Sequence, residues 1–511
     1  MPSMDSQHES ANVTSDAERR ATLISSGVNG LDDVLRGGLM PNRAYLVEGT
    51  PGSGKTTLAT QFLLDGIKRG EPCMFVTLSE SEQELRATAS SHGWTLGGLQ
   101  FVQLMPSQES LSPDAHYRMY HPSEVELGET IKTVFAEGER VRPKRVVVDS
   151  VSELRLLAGN PLRYRRQILA LKHYFSQLQA TVLFTDDRMG EVSDAHLHSL
   201  AHGVISMERE LPAYGTMRRR LHVDKMRGTT FREGFHDFVI RRGGIVVFPR
   251  LVASEHRTQG KRESITSGLK SLDSLLGGGL TRGTGTLILG AAGTGKSTLA
   301  AQFVWAAAKR GEHSSLFMFD ESIATFMERS AGLGMDFAPL VEAGQVNLRQ
   351  LDPAEVSPGE FAHAVREAAD NDKSRIIVID SLNGYLNAMP SEQYLELHLH
   401  ELLSYLNQQG VTTLFLMTQH GIVGSAASTP VDASYLADTV LLLRYFEAAG
   451  EIRQAISVIK KRTGEHERAI RELRFNKGIE VGEPLTHFQG VLGGSPQIIR
   501  PDEVTPGRAS S

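Results

Sequence analysis

Short, almost wholly apolar runs recur along this chain, separated by amphipathic or polar stretches. Runs such as VVVD (146–149) and IIVID (376–380), together with Tyr45 to Val47 and Leu287 to Leu289, lack the alternation of a strand with one wet face. They predict strands buried on both faces of a parallel sheet. Two segments that follow glycine-rich loops, TTLATQFLLDGIKRG (56–70) and STLAAQFVWAAAKRG (297–311), read as helices. Strands and helices in alternation imply right-handed crossovers and an α/β fold with a doubly wound, mostly parallel sheet.

The pattern occurs twice. ISSGVNGLDDVLRGGLMPNRAYLVEGTPGSGKTT (24–57) aligns without a gap to ITSGLKSLDSLLGGGLTRGTGTLILGAAGTGKST (265–298), and about 15 of 34 positions are identical. An offset of 241 residues (265 less 24) is far longer than the roughly 20 to 50 of a stacked repeat, so it marks a duplicated domain. RVVVDSVSE (145–153) and RIIVIDSLN (375–383) match at a shorter offset, and KMRGTTFREGF (225–235) loosely matches KKRTGEHERAI (460–470). The expected organisation is a disordered stretch at 1–20, a first domain at 21–252, a polar linker at 253–263, a second domain at 264–500 and a flexible tail at 501–511.

Composition narrows the functional classes. With 511 residues the chain is too long for one hydrophobic core, and 40% hydrophobic with 22% charged residues is a globular balance. The net charge of −6 gives no global attraction for a polyanion, so nucleic acid is not an expected partner. The single cysteine, Cys73, excludes an internal disulfide framework and reads as a small buried hydrophobe. The first 23 residues hold no signal-like apolar run, and no uncharged stretch of about 18 apolar residues occurs, so no membrane span is expected and the reading is cytoplasmic.

GTPGSGKTT (49–57) and GAAGTGKST (290–298) both fit the spacing G-x-x-x-x-G-K-[ST] between a strand and a helix. In the first copy the phosphate-binding candidates are Gly49, Thr50, Gly52, Ser53, Gly54, Lys55, Thr56 and Thr57; in the second they are Gly290, Gly293, Thr294, Gly295, Lys296, Ser297 and Thr298. The glycines let main-chain amides turn toward an anion that the helix N-terminus also favours. Lys55 and Lys296 would reach the β- and γ-phosphates of ATP, and Thr56 and Ser297 would ligate Mg²⁺. Asp149 and Asp380, each ending an apolar strand and followed by serine, are the second pair of metal-holding residues. The acidic residues of TLSES and MFDES are placed to deprotonate or orient a nucleophile: Glu80 in the first copy, Asp320 and Glu321 in the second.

The tandem loops, GLKSLDSLLGGGL, VVVDS and IVIDS, KMRGT, DTVLLLRY, AIRE and GGSP together resemble the KaiC family over roughly residues 20 to 500. The resemblance implies two tandem RecA-like P-loop domains, a homohexamer with ATP between subunits, slow ATPase activity in the first ring and serine/threonine autokinase activity in the second, in a timing or signalling role. It implies that Lys225 and Arg227, and in the second ring Lys460 and Arg462, face the neighbouring subunit's phosphates. Alignment on DTVLLLRY places Ser434 and Tyr435 where the family carries an adjacent Ser-Thr phosphorylation pair, with Ser434 the preferred acceptor.

Departures from the family pattern modify these expectations. Ser79 replaces the first of two glutamates, so first-domain hydrolysis leans on Glu80 and is expected to be slow. Asp320 is one methylene shorter than glutamate, and KKRTG alters the second basic motif. The short tail lacks the long helical extension that engages KaiA, which argues against that partner; KaiB-like or two-component proteins stay open. Two other functions fit the same loops: a RecA- or RadA-like DNA-dependent ATPase, and a nucleotide-stabilised scaffold with weak chemistry.

Overall fold

The computed structural model describes residues 23–104, 122–188, 195–212, 215–253, 263–387, 395–419, 433–492 and 497–498. The expected N-terminal stretch 1–20, nearly all of the linker 253–263 and the tail 501–511 lie outside the described residues. The chain divides into two compact units, Met1–Arg250 and Leu251–Ser511.

In the first unit nine strands form one sheet: β1 (Ala44–Gly49), β2 (Cys73–Thr77), β3 (Leu99–Gln103), β4 (Arg145–Asp149), β5 (Thr181–Asp187), β6 (Gly203–Glu210), β7 (Arg218–Met226), β8 (His236–Arg241) and β9 (Gly244–Phe248). Their order is β3-β2-β4-β5-β1-β6-β7-β8-β9. Every pairing from β3 to β6 is parallel, and β6 through β9 continue antiparallel. Within the antiparallel extension, β7 and β8 are what the apolar-run pattern does not announce, because they are only half-buried.

The parallel strands are apolar on both sides because helices cover both faces. Tyr45, Val47, Phe75, Val147 and Leu183 pack with Leu58, Ala59, Phe62 and Leu63 of α1 (Lys55–Lys68). Leu46, Val76, Val146, Val148 and Phe184 point to the opposite face and meet Leu154 of α2 (Val151–Ala158) and Ile168, Leu171 and Phe175 of α3 (Pro161–Gln177). Cys73 is buried in the first of these layers, and burial pushes its thiol up to about 12.

Beneath α1, Arg145 is 1% exposed. It pairs with Asp65 at 3.0 Å and Glu71 at 2.5 Å, donates to the carbonyls of Ser25 and Phe62, and lies over the Phe62 ring. Gly66 makes room for it, since a Cβ there would stand 2.7 Å from Arg145 Cδ.

The second unit repeats the sheet with β10 (Gly285–Gly290), β11 (Ser314–Met318), β12 (Val346–Gln350), β13 (Ile376–Asp380), β14 (Thr412–Thr418), β15 (Thr439–Ala448), β16 (Glu451–Lys461), β17 (Arg471–Phe475) and β18 (Ile479–Pro484), in the order β12-β11-β13-β14-β10-β15-β16-β17-β18. Its glycine loop opens α4 (Lys296–Lys309). Each unit is therefore a RecA-like α/β domain with a nucleotide loop at the C-terminal end of a central strand, where strand order reverses. Among the described residues no helix is long and apolar enough to cross a membrane.

Candidate functional site

Both glycine loops join a buried strand directly to a 14-residue helix, and neither helix N-terminus is capped by a side chain. The first-turn amides of each helix are thus directed at the loop interior, as an anion site requires. Gly295, the residue before Lys296, has φ +96, and a Cβ there would lie 2.1 Å from Phe475 Cζ. No other residue can hold that turn against β17.

The lysines curl back into their loops. Lys55 Nζ donates to Gly49 O at 3.0 Å and Thr50 O at 3.1 Å, and Lys296 Nζ donates to Gly290 O at 3.0 Å and Ala291 O at 2.8 Å. Burial lowers the Lys296 ammonium from its usual range, against the pull of Asp380 and Asp320. Ser53 Oγ is buried inside the first loop without a hydrogen-bond partner, whereas Thr294 Oγ1 in the second bonds Ala291 O at 2.8 Å.

Asp149 lies beside the first loop. Thr56 Oγ1 donates to Asp149 Oδ2 at 2.6 Å, and Thr185 Oγ1 donates to Oδ1. Burial raises the Asp149 carboxyl, while hydrogen bonds from Thr185 and Thr56 and the charge of Lys55 oppose it. Asp380 is pushed up to about 6 by burial, with a hydrogen bond from Ser297 acting the other way and the charges of Glu321 and Asp320 adding to the rise. A hydroxyl and a carboxylate meeting at each loop form a donor set suited to a hard divalent cation, and the uncapped helix ends with their lysines suit a polyphosphate.

The acidic residues past β2 and β11 differ between units. Glu80 is half-buried; its carboxyl is raised by burial first, then by the charges of Asp149 and Glu84. Ser79 is exposed. In the second unit Asp320 is exposed and accepts a hydrogen bond from Ser381 Oγ. Glu321 is held by Arg329, with Nε at 3.0 Å from Oε1 and Nη2 at 2.7 Å from Oε2. Thr57 is half-buried on α1, and its counterpart Thr298 accepts from Arg329 Nη1 at 2.8 Å.

The basic pairs are not brought to their own unit's loop. Lys225 pairs with Val204, which lies beside Leu46 near the start of β1, while the loop leaves β1 at Gly49. That separation is about 10 Å along the strand. Lys225 Nζ donates to His198 O and Arg227 Nη2 to Ser199 O at 3.2 Å, so both cap the end of α5 (Ala195–Leu200). In the second unit Lys460 Nζ donates to Ser434 O and Ala437 O, both at 2.8 Å, and Arg462 Nη2 to Tyr435 O at 3.1 Å. Ser434 and Tyr435 are exposed on the one-turn helix Ala433–Tyr435. The two pairs occupy the same place in the fold, and the first unit has His198 and Ser199 where the second has Ser434 and Tyr435.

Compared with protein families, residues 24–252 and 265–486 both match the family described as "ATPase: KaiC". This chain belongs to the KaiC family. Among its relatives, the circadian clock oscillator protein KaiC of Thermostichus vulcanus is 30% identical over 98% of this chain and 96% of its own length. The circadian clock protein KaiC3 of a Synechocystis species is 29% identical over 94% of this chain and 96% of its own, and KaiC of Synechococcus elongatus is 29% identical over 93% and 92%. As a KaiC-family protein the chain is ATP-binding, with one nucleotide loop in each of its two repeats.

Several site residues escape motif reading. Lys55 forms an ion pair with Asp187 at 2.7 Å, a residue at the end of β5 beside Gly49. The corresponding position beside Gly290 is Thr418, which carries no charge. Asp187 and Thr185 could be sought as polar residues closing a parallel strand next to the loop strand. Arg329 carries no such signal, because it lies within an ordinary amphipathic helix, α6 (Ile323–Gly332).

Proposed function

We propose that this KaiC-family chain is an ATP-driven ring protein with two unlike sites. In this reading the first unit hydrolyses ATP slowly and holds the ring together, and the second transfers a γ-phosphate to Ser434 of an adjacent copy. The observation that carries the transfer is the placement of Ser434: it is exposed at the end of the sheet opposite its own loop, on a turn whose carbonyls Lys460 and Arg462 hold. A residue so placed is solvent-exposed and lies away from the nucleotide loop of its own unit.

The chemistry asks little of the protein beyond positioning and charge. The loop amides with Lys296 would hold the phosphates, and Ser297 with Asp380 would hold Mg²⁺, which when bound neutralises phosphate charge. The Ser434 Oγ–P bond forms as the bond from the γ-phosphorus to the bridging oxygen breaks, ADP leaves, and the hydroxyl proton passes to a carboxylate past β11. In the first unit Glu80 serves water in the same way. Its raised carboxyl favours proton uptake more than an ordinary exposed glutamate does.

Incubation with Mg-ATP, followed by intact-mass measurement and phosphopeptide mapping, tests the reading. Phosphate is expected on Ser434, with Tyr435 unmodified. Lys296→Ala should abolish incorporation and leave assembly intact, while Lys55→Ala should shift the particle toward monomers in size-exclusion chromatography. Incorporation that persists in Lys296→Ala rejects the kinase assignment.

A further inference from the structure

The two units treat their paired glutamates in opposite ways, and the contrast lies in one residue. Glu80 and Glu321 occupy the same place, each just before the serine that caps the following helix, Ser81 or Ser322. The helices Glu82–Ser91 and α6 are both ten residues long and keep the 241-residue offset set by the loops, so Thr88 stands where Arg329 stands. Among the described residues no cation pairs with Glu80; the neighbour that acts on it electrostatically from its helix is another carboxylate, Glu84. Glu321 faces a guanidinium that spans both of its oxygens and uses its third nitrogen on Thr298 of the loop helix.

We infer that Arg329 is a positioning residue that withholds Glu321 from proton transfer, so that Asp320 is the sole working carboxylate of the second site. The inference rests on the phosphotransfer reading above and names the base in it. A carboxylate whose two oxygens each accept an N–H from one planar fork has no oxygen directed at a reacting hydroxyl, and taking up a proton would cost it that bidentate pair. The fork is itself braced: Arg329 Cζ lies 5.5 Å from the centre of the Phe326 ring, and Thr298 is buried. Asp320, by contrast, is exposed and, among the described residues, accepts a side-chain hydrogen bond from the Ser381 hydroxyl alone. Arg329 thereby ties α6 to the helix that follows the glycine loop and acts as a brake built into the second site alone.

The test compares Arg329→Met, Arg329→Lys, Glu321→Gln and Arg329→Met/Glu321→Gln with the parent, reading phosphate incorporation at Ser434 and ADP release under single-turnover conditions from pH 5 to 9. Asp320→Asn should abolish incorporation, and Glu321→Gln in the otherwise unaltered chain should lower it far less. Arg329→Met should raise second-site turnover at least about tenfold, less than the roughly 10²- to 10⁴-fold that a positioned general base supplies, because Asp320 already serves. The gain should vanish in the double variant, and Arg329→Lys, a point charge without the fork, should fall between. The pH profile of Arg329→Met should gain a second titrating carboxylate that the double variant lacks.

Hydrogen exchange on the nucleotide-free chain gives a reading independent of turnover: Arg329→Met and Glu321→Gln should each loosen residues 321–332 to a similar extent, with no further effect when combined. A Glu321→Gln variant as inactive as Asp320→Asn, or an Arg329→Met variant that exchanges like the parent, overturns the inference. If Ser434 stays unmodified in every variant while ADP release still rises in a Glu321-dependent manner, the phosphotransfer reading falls and the brake stands.

Discussion

Replacing Asp187 with the threonine that the second unit carries at Thr418 should tighten nucleotide binding at the first loop. Lys55 is 6% exposed and its Nζ lies 2.7 Å from Asp187 Oδ1. At an effective dielectric near 20, two unit charges at that distance attract by roughly 6 kcal/mol before desolvation is counted. Most of that gross attraction is offset by the loss of hydration, and the surplus that phosphate must displace is on the order of 1 to 2 kcal/mol. Removing the competing carboxylate also removes its repulsion of the incoming anion. Asp187→Thr is therefore expected to lower the first-site Kd for ADP and ATP by about 5- to 30-fold. Titrating a fluorescent nucleotide into the Lys296→Ala chain isolates the first loop, and a matched Thr418→Asp variant in a Lys55→Ala chain should weaken the second loop by a similar factor. An unchanged or raised Kd in Asp187→Thr would refute the claim that the pair competes with phosphate. The predicted effect should shrink at high salt less than a surface pair would, since Lys55 is buried.

Three further outcomes follow from the geometry. His236 is buried, its Nε2 donating to Arg232 O and its Nδ1 accepting from the Arg250 amide, both at 2.9 Å, and burial brings it down to about 4. The unfolded chain takes this proton near 6.5 and the folded one only near 4, so stability should fall as pH drops through that window, by up to about 3 kcal/mol, and His236→Gln should flatten that limb of an acid-unfolding curve. Arg145→Ala leaves Asp65 and Glu71 without their buried partner and should cost about 3 to 5 kcal/mol in the denaturant-unfolding transition of the first unit, leaving that of the second unchanged. Gly295→Ala meets both a positive φ and Phe475, so the second loop should lose at least about tenfold in nucleotide affinity, measured by the same titration with Lys55→Ala as background.

The sequence alone determined the duplication, the α/β class and the two glycine loops, because each is written in local signals. The spacing of Gly49 to Thr56 and of Gly290 to Ser297 specifies a main-chain cradle without reference to anything distant, and VVVD and IIVID are apolar on both sides for the same reason in either unit: helices cover both faces. Asp149 and Asp380 were legible as candidates because each is a polar residue ending an apolar run, at the carboxyl end of an interior strand. Glu80, Asp320 and Glu321 were legible as candidates, but their sequence contexts, TLSES and MFDES, are nearly alike. What separates them comes from residues brought beside them by packing. Glu84 adds like charge near Glu80, and Arg329, eight residues past Glu321 and two helical turns along α6, returns to span it. Likewise, only the parallel register of β5 beside β1 sets Asp187 against Lys55, across 132 residues of chain (187 less 55). Charge pairing depends on distances of a few ångströms, and those are fixed by the sheet and its helices rather than by any neighbouring residue in the chain.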